Sequence, residues 1–397
     1  MSGPLEGVKV LSFCRALAGP FATMILADLG AEVIKIEQPK TGDSTRFSFP
    51  QINGISTYFL SVNRGKRSIT LDLKSERAKE IVFSLVKEVD ILVENFRPGV
   101  MERLGFDYDT IRGQNPKIVY ASISGFGQTG PYSHRPAYDM LVQAMGGTVS
   151  ITGLTDPEAP AVRVGYSIGD MGAGLFGVMG IQAALYQAEK TGQGQWVDVA
   201  MLDSQVALCE NAIVRYCATG EIPAPTGSRH PLSTPFQVFR TKDSSLVLIA
   251  TSDQMWEAFC QAADKEEWIK DERYGTRQGR LQNYSEFEKE MNELMVTKTT
   301  DEWGQLFDDH EVMWGPVNNI EQVVNDPHLN AREMIVEVEH PQAGKHRIVS
   351  SPMKFSRTPV KIERAGPELG SDTDDVLSNL LGLSEEEIED LKKEGVV

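Results

Sequence analysis

Short β-rich runs alternate with helical stretches through the first third of the chain. Val8-Lys9-Val10-Leu11-Ser12-Phe13 reads as a strand, Phe21 to Gly30 as a helix, and Glu32-Val33-Ile34-Lys35-Ile36-Glu37 as a second strand. The unit recurs. Ser68-Ile69-Thr70-Leu71-Asp72-Leu73 is followed by a helical pattern over about Ser75 to Glu88, then Ile91-Leu92-Val93-Glu94-Asn95-Phe96, another helical stretch, and Ile118-Val119-Tyr120-Ala121-Ser122-Ile123. Such alternation predicts a parallel sheet covered by helices on both faces. A long helical pattern rich in Gly and Ala runs from Ile168 to about Lys190, and another follows the strand-like Trp196-Val197-Asp198-Val199-Ala200. Gly220-Glu221-Ile222-Pro223-Ala224-Pro225-Thr226-Gly227 then reads as a linker. Beyond it come hairpin-like strands, Phe236 to Arg240 and Leu246 to Ala250, and charged helices. The expected architecture is α/β: a Rossmann-like large domain from residues 1–220 and 330–397, whose last part returns to the first, and a smaller α+β domain over 225–325. Ser384 and Glu387 form a capping-box pattern in the tail.

A length of 397 residues suits two structural units, and 41% hydrophobic with 24% charged residues is ordinary globular composition. Thirty-nine basic against 56 acidic residues give a net charge of −17, which argues against nucleic acid or an anionic membrane as partner. An anionic small ligand stays open, because a local cluster of Arg, Lys and helix N-termini acts within a screening length of roughly 8–10 Å. The N-terminal Met1-Ser2-Gly3-Pro4-Leu5-Glu6 lacks a signal-peptide layout, and no apolar run is expected to approach the ~18 residues of a membrane span, so a cytoplasmic location is expected. Cys14, Cys209, Cys217 and Cys260 show no Cys-x-x-Cys spacing and read as reduced core residues, and the histidines form no metal-binding pair, so no metal site is expected.

Two Gly-x-Gly-x-x-Gly matches fail as dinucleotide sites. Gly125 to Gly130 follows a strand but leads into Pro131 and Pro136 where a helix should open, and Gly172 to Gly177 lies inside a helical pattern. Basic and amide residues fall at the ends of successive strands: Lys66 and Arg67, Lys74, Asn95 and Arg97, and Arg103. Ligands of parallel α/β sheets bind beyond the strand C-termini, so a phosphorylated ligand is expected there. Asp170, in Ser167-Ile168-Gly169-Asp170-Met171-Gly172, reads either as a helix N-cap or as a functional carboxylate. On the second reading helix N-terminal amides keep it ionised, and the flanking glycines leave room for a thioester.

These residues bring a family into view. Pro4-Leu5-Glu6-Gly7-Val8-Lys9-Val10-Leu11, Ala18-Gly19-Pro20, Leu29-Gly30-Ala31-Glu32-Val33-Ile34-Lys35-Ile36-Glu37, Gly42-Asp43, Asn63-Arg64-Gly65-Lys66-Arg67-Ser68, Val93-Glu94-Asn95-Phe96-Arg97-Pro98-Gly99, Ser124-Gly125-Phe126-Gly127, Ala137-Tyr138-Asp139 and Gly169-Asp170 resemble the family III CoA-transferases, the CaiB/BaiF family. The resemblance implies a two-domain subunit threaded through its partner as an interlocked homodimer, with Asp170 as the catalytic aspartate. It places coenzyme A against Leu17, Ala18, Gln38, Leu71, Asp72, Leu73, Lys74, Asn95, Phe96, Arg97, Arg103, Ala137, Tyr138 and Asp139. Leu17, Gln38 and Ala250-Thr251-Ser252-Asp253-Gln254 depart from the formyl-CoA transferase members, where a glutamine, an arginine and a tetraglycine lid stand.

The implied activity moves coenzyme A from an acyl-CoA donor to a carboxylic acid, a dicarboxylic acid such as oxalate or succinate being the candidate acceptor. Asp170 would pass through an aspartyl mixed anhydride and an aspartyl-CoA thioester, with the thioester as substrate and no cofactor. Arg163, Arg229 and His230 are the candidates to hold an acceptor carboxylate. The alternatives are a 2-methylacyl-CoA racemase, whose Gly-His-Asp sequence is here Ala137-Tyr138-Asp139 and so lacks one base, and a non-catalytic CoA-binding protein.

Overall fold

The computed structural model describes residues 3–362 and 364–397. Two compact units divide the chain, one of residues 1–149, 163–221 and 328–397, the other of residues 150–162 and 222–327. The segment Ser150–Val162 therefore belongs with the second unit, where the sequence reading leaves it in the large domain. That segment is polar and aperiodic, so nothing local signals the departure.

The first unit is built on β1 (Lys9–Ser12), α1 (Ala18–Asp28), β2 (Glu32–Glu37), β3 (Arg67–Thr70), α2 (Glu76–Glu88), β4 (Ile91–Glu94), β5 (Val119–Ser124), α3 (Asp139–Met145), α4 (Ile168–Thr191), β6 (Trp196–Ala200) and α5 (Met201–Leu208). All six strands are parallel, in the spatial order β3-β2-β1-β4-β5-β6. This is the doubly wound order, and its direction reverses between β1 and β4. Each strand feeds both faces alternately. Leu11, Ile34, Ile36, Ile69, Leu92 and Tyr120 meet Val82, Leu85 and Val86 of α2 on one side. Val10, Val33, Ile91, Val93, Ala121 and Ile123 meet Ala22 and Leu26 of α1 and Ala173, Ile181 and Ala184 of α4 on the other.

Lys66 and Arg67 correct the reading of basic residues at strand ends, because Lys66 precedes β3 and Arg67 is its first residue, so both stand at its N-terminal end. Lys66 is fully buried, its Nζ donating to Pro20 O (2.9 Å), Val62 O (2.8 Å) and Asn63 Oδ1 (2.9 Å). Arg67 pairs with Glu32, Asp372 and Asp375. The tail packs on this unit: Asp372 N–H donates to Ser68 O (2.9 Å), Ser68 N–H to Asp372 Oδ2 (3.0 Å), and so the β3 edge is covered. Ile388 and Leu391, on the helix capped by Ser384 and Glu387, join the core under α2.

Two other expectations need correction. By length and composition α4 could cross a membrane, although no run of that kind was expected; its small residues pack against α1 and β5 while Leu175, Met179 and Tyr186 stay exposed. Of the cysteines, Cys14, Cys209 and Cys260 are buried but Cys217 is exposed.

In the second unit β7 (Phe236–Arg240), β8 (Ser245–Ile249) and β9 (Met313–Pro316) form an antiparallel sheet with β8 central. Trp256, Phe259, Tyr274, Phe287, Met291, Trp303 and Phe307 fill a separate core against it.

Candidate active site

The chain leaves β1 and β4 in opposite directions, and the gap this opens beyond their C-terminal ends is where the site lies. The turn after β1 runs Phe13-Cys14-Arg15-Ala16-Leu17 into α1, and the turn after β4 is Asn95-Phe96-Arg97. Asn95 bridges them, its Oδ1 accepting from Arg15 N–H and its Nδ2 donating to Arg15 O, both at 2.8 Å. Ala16 sits at φ 61°, a left-handed conformation that a side chain resists, and the surroundings hold it there. From below, Lys35 Nζ donates to Cys14 O (2.6 Å) and to Asp43 Oδ2 (2.9 Å). Both members of that ion pair are fully buried. Burial opposes ionisation of Asp43, but the Lys35 charge and the Thr45 amide outweigh it and hold its carboxyl below the usual value.

Two adjoining clefts open over these turns. The first is lined by Gln38, Leu71, Asp72, Leu73, Lys74 and Phe96, with Val100 and Leu104 from the helix beyond. The second contains Leu17, Ala18, Asn95, Phe96, Arg97, Ala137, Tyr138 and Asp170, together with Arg135 and Met201. Arg15 and Phe96 border both, the guanidinium 5.3 Å from the ring centroid. Most of the residues expected to touch coenzyme A thus line one or other of these two adjoining clefts. Arg103 and Asp139 line neither cleft; Arg103 is exposed on the helix Val100–Leu104, and Asp139 lies behind Asp170.

Asp170 is the third residue of α4, so it is not the N-cap; that position belongs to Ser167, which makes no side-chain cap bond. Asp139 supplies the cap from α3, its Oδ1 accepting from Gly169 N–H (2.8 Å) while Oδ2 accepts from Gln143 Nε2 (2.7 Å). Asp170 instead faces the amide of Ala18, the first of α1, which favours its ionised form. The expectation that helix amides keep this carboxyl ionised is overturned. Burial, with the like charge of Asp139, pushes its pKa up to about 7, and the Ala18 amide only partly offsets this.

The glycines around Asp170 serve packing rather than ligand space. A Cβ on Gly174 would stand 3.0 Å from Ala18 O and 2.9 Å from Phe21 Cδ1, and one on Gly169 would stand 2.6 Å from Val142 Cγ2. Only glycine lets α4 approach α1 closely enough for the Ala18 amide to reach Asp170.

None of the acceptor candidates is among the residues that line the two clefts. Arg163 is exposed and donates to Val164 O (3.0 Å). Arg229 and His230 belong to the second unit, where Arg229 sits 4.2 Å over the Tyr284 ring and His230 stacks at 4.9 Å on Phe236. Two site residues went unread in the sequence. Arg135 lines the Asp170 cleft, and Tyr58 is raised to about 12 by burial and then by the charges of Asp170, Asp43 and Asp139. Tyr58 therefore keeps its proton. Neither had a local signal, since each sits in a loop or a helix start without periodic pattern.

The family model for CoA-transferase family III matches residues 5–373. The chain is similar to the acetyl-CoA:oxalate CoA-transferase of Acetobacter aceti, 40% identical over 365 residues that cover 92% of each protein. It is 38% identical over 396 residues to the succinyl-CoA:glutarate CoA-transferase of Homo sapiens, covering 99% of this chain and 90% of that protein. The crystal structure of a CaiB/BaiF family protein from Brucella suis superposes with a TM-score of 0.87 at 33% identity, over 96% of this chain and 100% of that one.

Proposed function

The chain belongs to CoA-transferase family III, and from that premise we propose that it moves coenzyme A between carboxylic acids through Asp170, with a dicarboxylic acid as acceptor. The Asp170 carboxylate attacks the donor thioester, giving a mixed anhydride and the CoA thiolate. The thiolate attacks the aspartyl carbonyl, releasing the donor acid and leaving an aspartyl-CoA thioester. The acceptor carboxylate then attacks that thioester, and the freed thiolate takes the acceptor acyl group and restores Asp170. Bonds and charges balance at each step, and only the thioester and the two acids take part.

One observation carries this reading: Asp170 lines a cleft that adjoins a second one through Arg15 and Phe96, and it faces the first amide of α1. A helix N-terminal amide beside the reacting carbonyl favours the negative charge of a tetrahedral intermediate. Lys74, Arg97 and Arg15, at the lining of the two clefts, suit the phosphates of coenzyme A. Substrate names among the relatives, oxalate and glutarate, support a diacid acceptor. The proposal also takes the protein as an interlocked homodimer, which the exposed Leu175, Met179 and Tyr186 along one side of α4 favour.

The test is covalent trapping. Protein incubated with acyl-CoA and then hydroxylamine or borohydride, digested and examined by mass spectrometry, should carry its modification on Asp170. Asp170→Ala should lose transfer by at least about 10³-fold. Retained turnover in that variant would remove the nucleophile, and solvent deuterium entering the α-position of the acyl group would point to a racemase.

A further inference from the structure

Arg135 stands in the loop after β5 and lines the Asp170 cleft with Ala137 and Tyr138. Its guanidinium lies over two rings, 4.9 Å from the centroid of Tyr132 and 5.5 Å from that of Phe126. Phe126 is buried and the rings meet edge to face at 5.7 Å, so the platform is fixed. Stacking occupies the flat face of a guanidinium and leaves its N–H edge, which binds a carboxylate through two parallel hydrogen bonds. The ion pairs among the described residues engage Arg46, Arg64, Arg67, Arg77, Arg273 and Arg364 but not Arg135. Arg135 is exposed at the cleft, held on an aromatic platform beside the nucleophile, and among the described residues it pairs with no carboxylate, so its N–H edge is free to take an anion from solution.

Position along the sheet says which anion. The cleft that holds Lys74 and Gln38 lies over the ends of β3, β2 and β1. In the order β3-β2-β1-β4-β5, Arg135's strand is four spacings from β3, about 19 Å at roughly 4.8 Å each. A nucleotide seated over β3 to β1 extends its pantetheine arm toward β4 and β5, which puts Arg135 at the thioester end. We infer that Arg135 selects the acceptor: it holds the second, unreacting carboxylate of a dicarboxylic acid while the first reaches the Asp170 thioester. The inference rests on the CoA-transferase reading above.

The experiment compares succinate with its half-amide, succinamate, as acceptors for the wild type, Arg135→Gln and Arg135→Lys. The donor is acetyl-CoA, or propionyl-CoA where the wild type does not turn acetyl-CoA over, so that donor and acceptor acids differ and only the acceptor carries a second carboxylate. The wild type should prefer succinate. Arg135→Gln should lose about 10- to 100-fold in kcat/KM for succinate, little for succinamate, and keep its KM for acyl-CoA within about twofold. Arg135→Lys, with the charge but not the fork, should fall between, and decides alone if the Gln variant is insoluble. Equal losses for both acceptors, an unchanged preference, or a rise in the KM for acyl-CoA alone would overturn the inference while transfer itself stood. A wild type that transfers coenzyme A to no acid would bring down the functional reading as well.

Discussion

Asn95 clasps Arg15 across the β1–β4 gap through both ends of one carboxamide, each bond 2.8 Å long. The clasp ties together the two turns that border both clefts. It takes up one donor and one acceptor site of that carboxamide and leaves one of each, so Asn95 shapes the site in addition to any contact it makes with the ligand. Asn95→Ala should destabilise the fold by about 1–3 kcal/mol, two partly exposed hydrogen bonds at their net worth, and raise the KM for acyl-CoA more than it lowers kcat. Urea denaturation and steady-state kinetics on the same preparation check both; a fall in kcat alone would count against a clasp.

Burial and the Asp139 charge push Asp170, the proposed nucleophile, up to about 7. Only the carboxylate is a nucleophile, so kcat/KM for acyl-CoA should rise tenfold per unit of pH below about 7 and level off above it. Asp139→Asn removes the like charge, and the acid limb should move to lower pH. Asp139 also caps Gly169 and receives Gln143, so the same variant should lower the plateau rate. An acid limb that stays in place in Asp139→Asn would show that burial alone sets it.

Gly174 decides how closely α4 approaches α1. An added Cβ meets Ala18 O at 3.0 Å, and backbone cannot swing aside as a side-chain tip can. Gly174→Ala should therefore cost about 1–3 kcal/mol and slow transfer, because separating the helices draws the Ala18 amide from Asp170. Gly113 is the control: it lies in the helix Tyr108–Gln114 with nothing within 4 Å of a Cβ. Gly113→Ala should be neutral or stabilising by up to about 1 kcal/mol. Thermal melts of both variants, with activity, make the comparison.

The sheet was legible because its strands carry their own signal. Val10-Leu11, Val33-Ile34 and Ile91-Leu92-Val93 are apolar on both faces, and the helices between them supply the parallel crossover. Asp170 was legible as a residue but not as an acid. Its pKa depends on burial and on Asp139, 31 positions earlier, and neither appears in the spacing around it. The glycines misled for a related reason: Gly169-x-x-Gly172-x-Gly174 reads as open space until Val142, Leu208 and Ala18 are brought against it. Lys66 read as a ligand-binding cation at a strand end, yet Pro20 O, Val62 O and Asn63 Oδ1 enclose its ammonium, all of them supplied by tertiary contact or the preceding helix.

A carboxyl tuned for attack should weaken the fold that tunes it. Asp170 titrates near 4 when the chain is unfolded and at about 7 in the native protein. Between those values the native state holds the proton that the unfolded state has lost, so stability falls as pH rises across the window and is flat beyond it. Asparagine at 170 does not titrate and has nearly the same shape. Asp170→Asn should then match the wild type in stability near pH 4, exceed it increasingly through pH 5 and 6, and hold a constant advantage above about pH 7. The advantage should appear as a higher denaturant midpoint with an unchanged slope, since the surface exposed on unfolding is the same. An Asp170→Asn variant equal to or less stable than the wild type at pH 8 would mean that the Ala18 amide outweighs burial and the Asp139 charge, and that the carboxylate is the resting form after all.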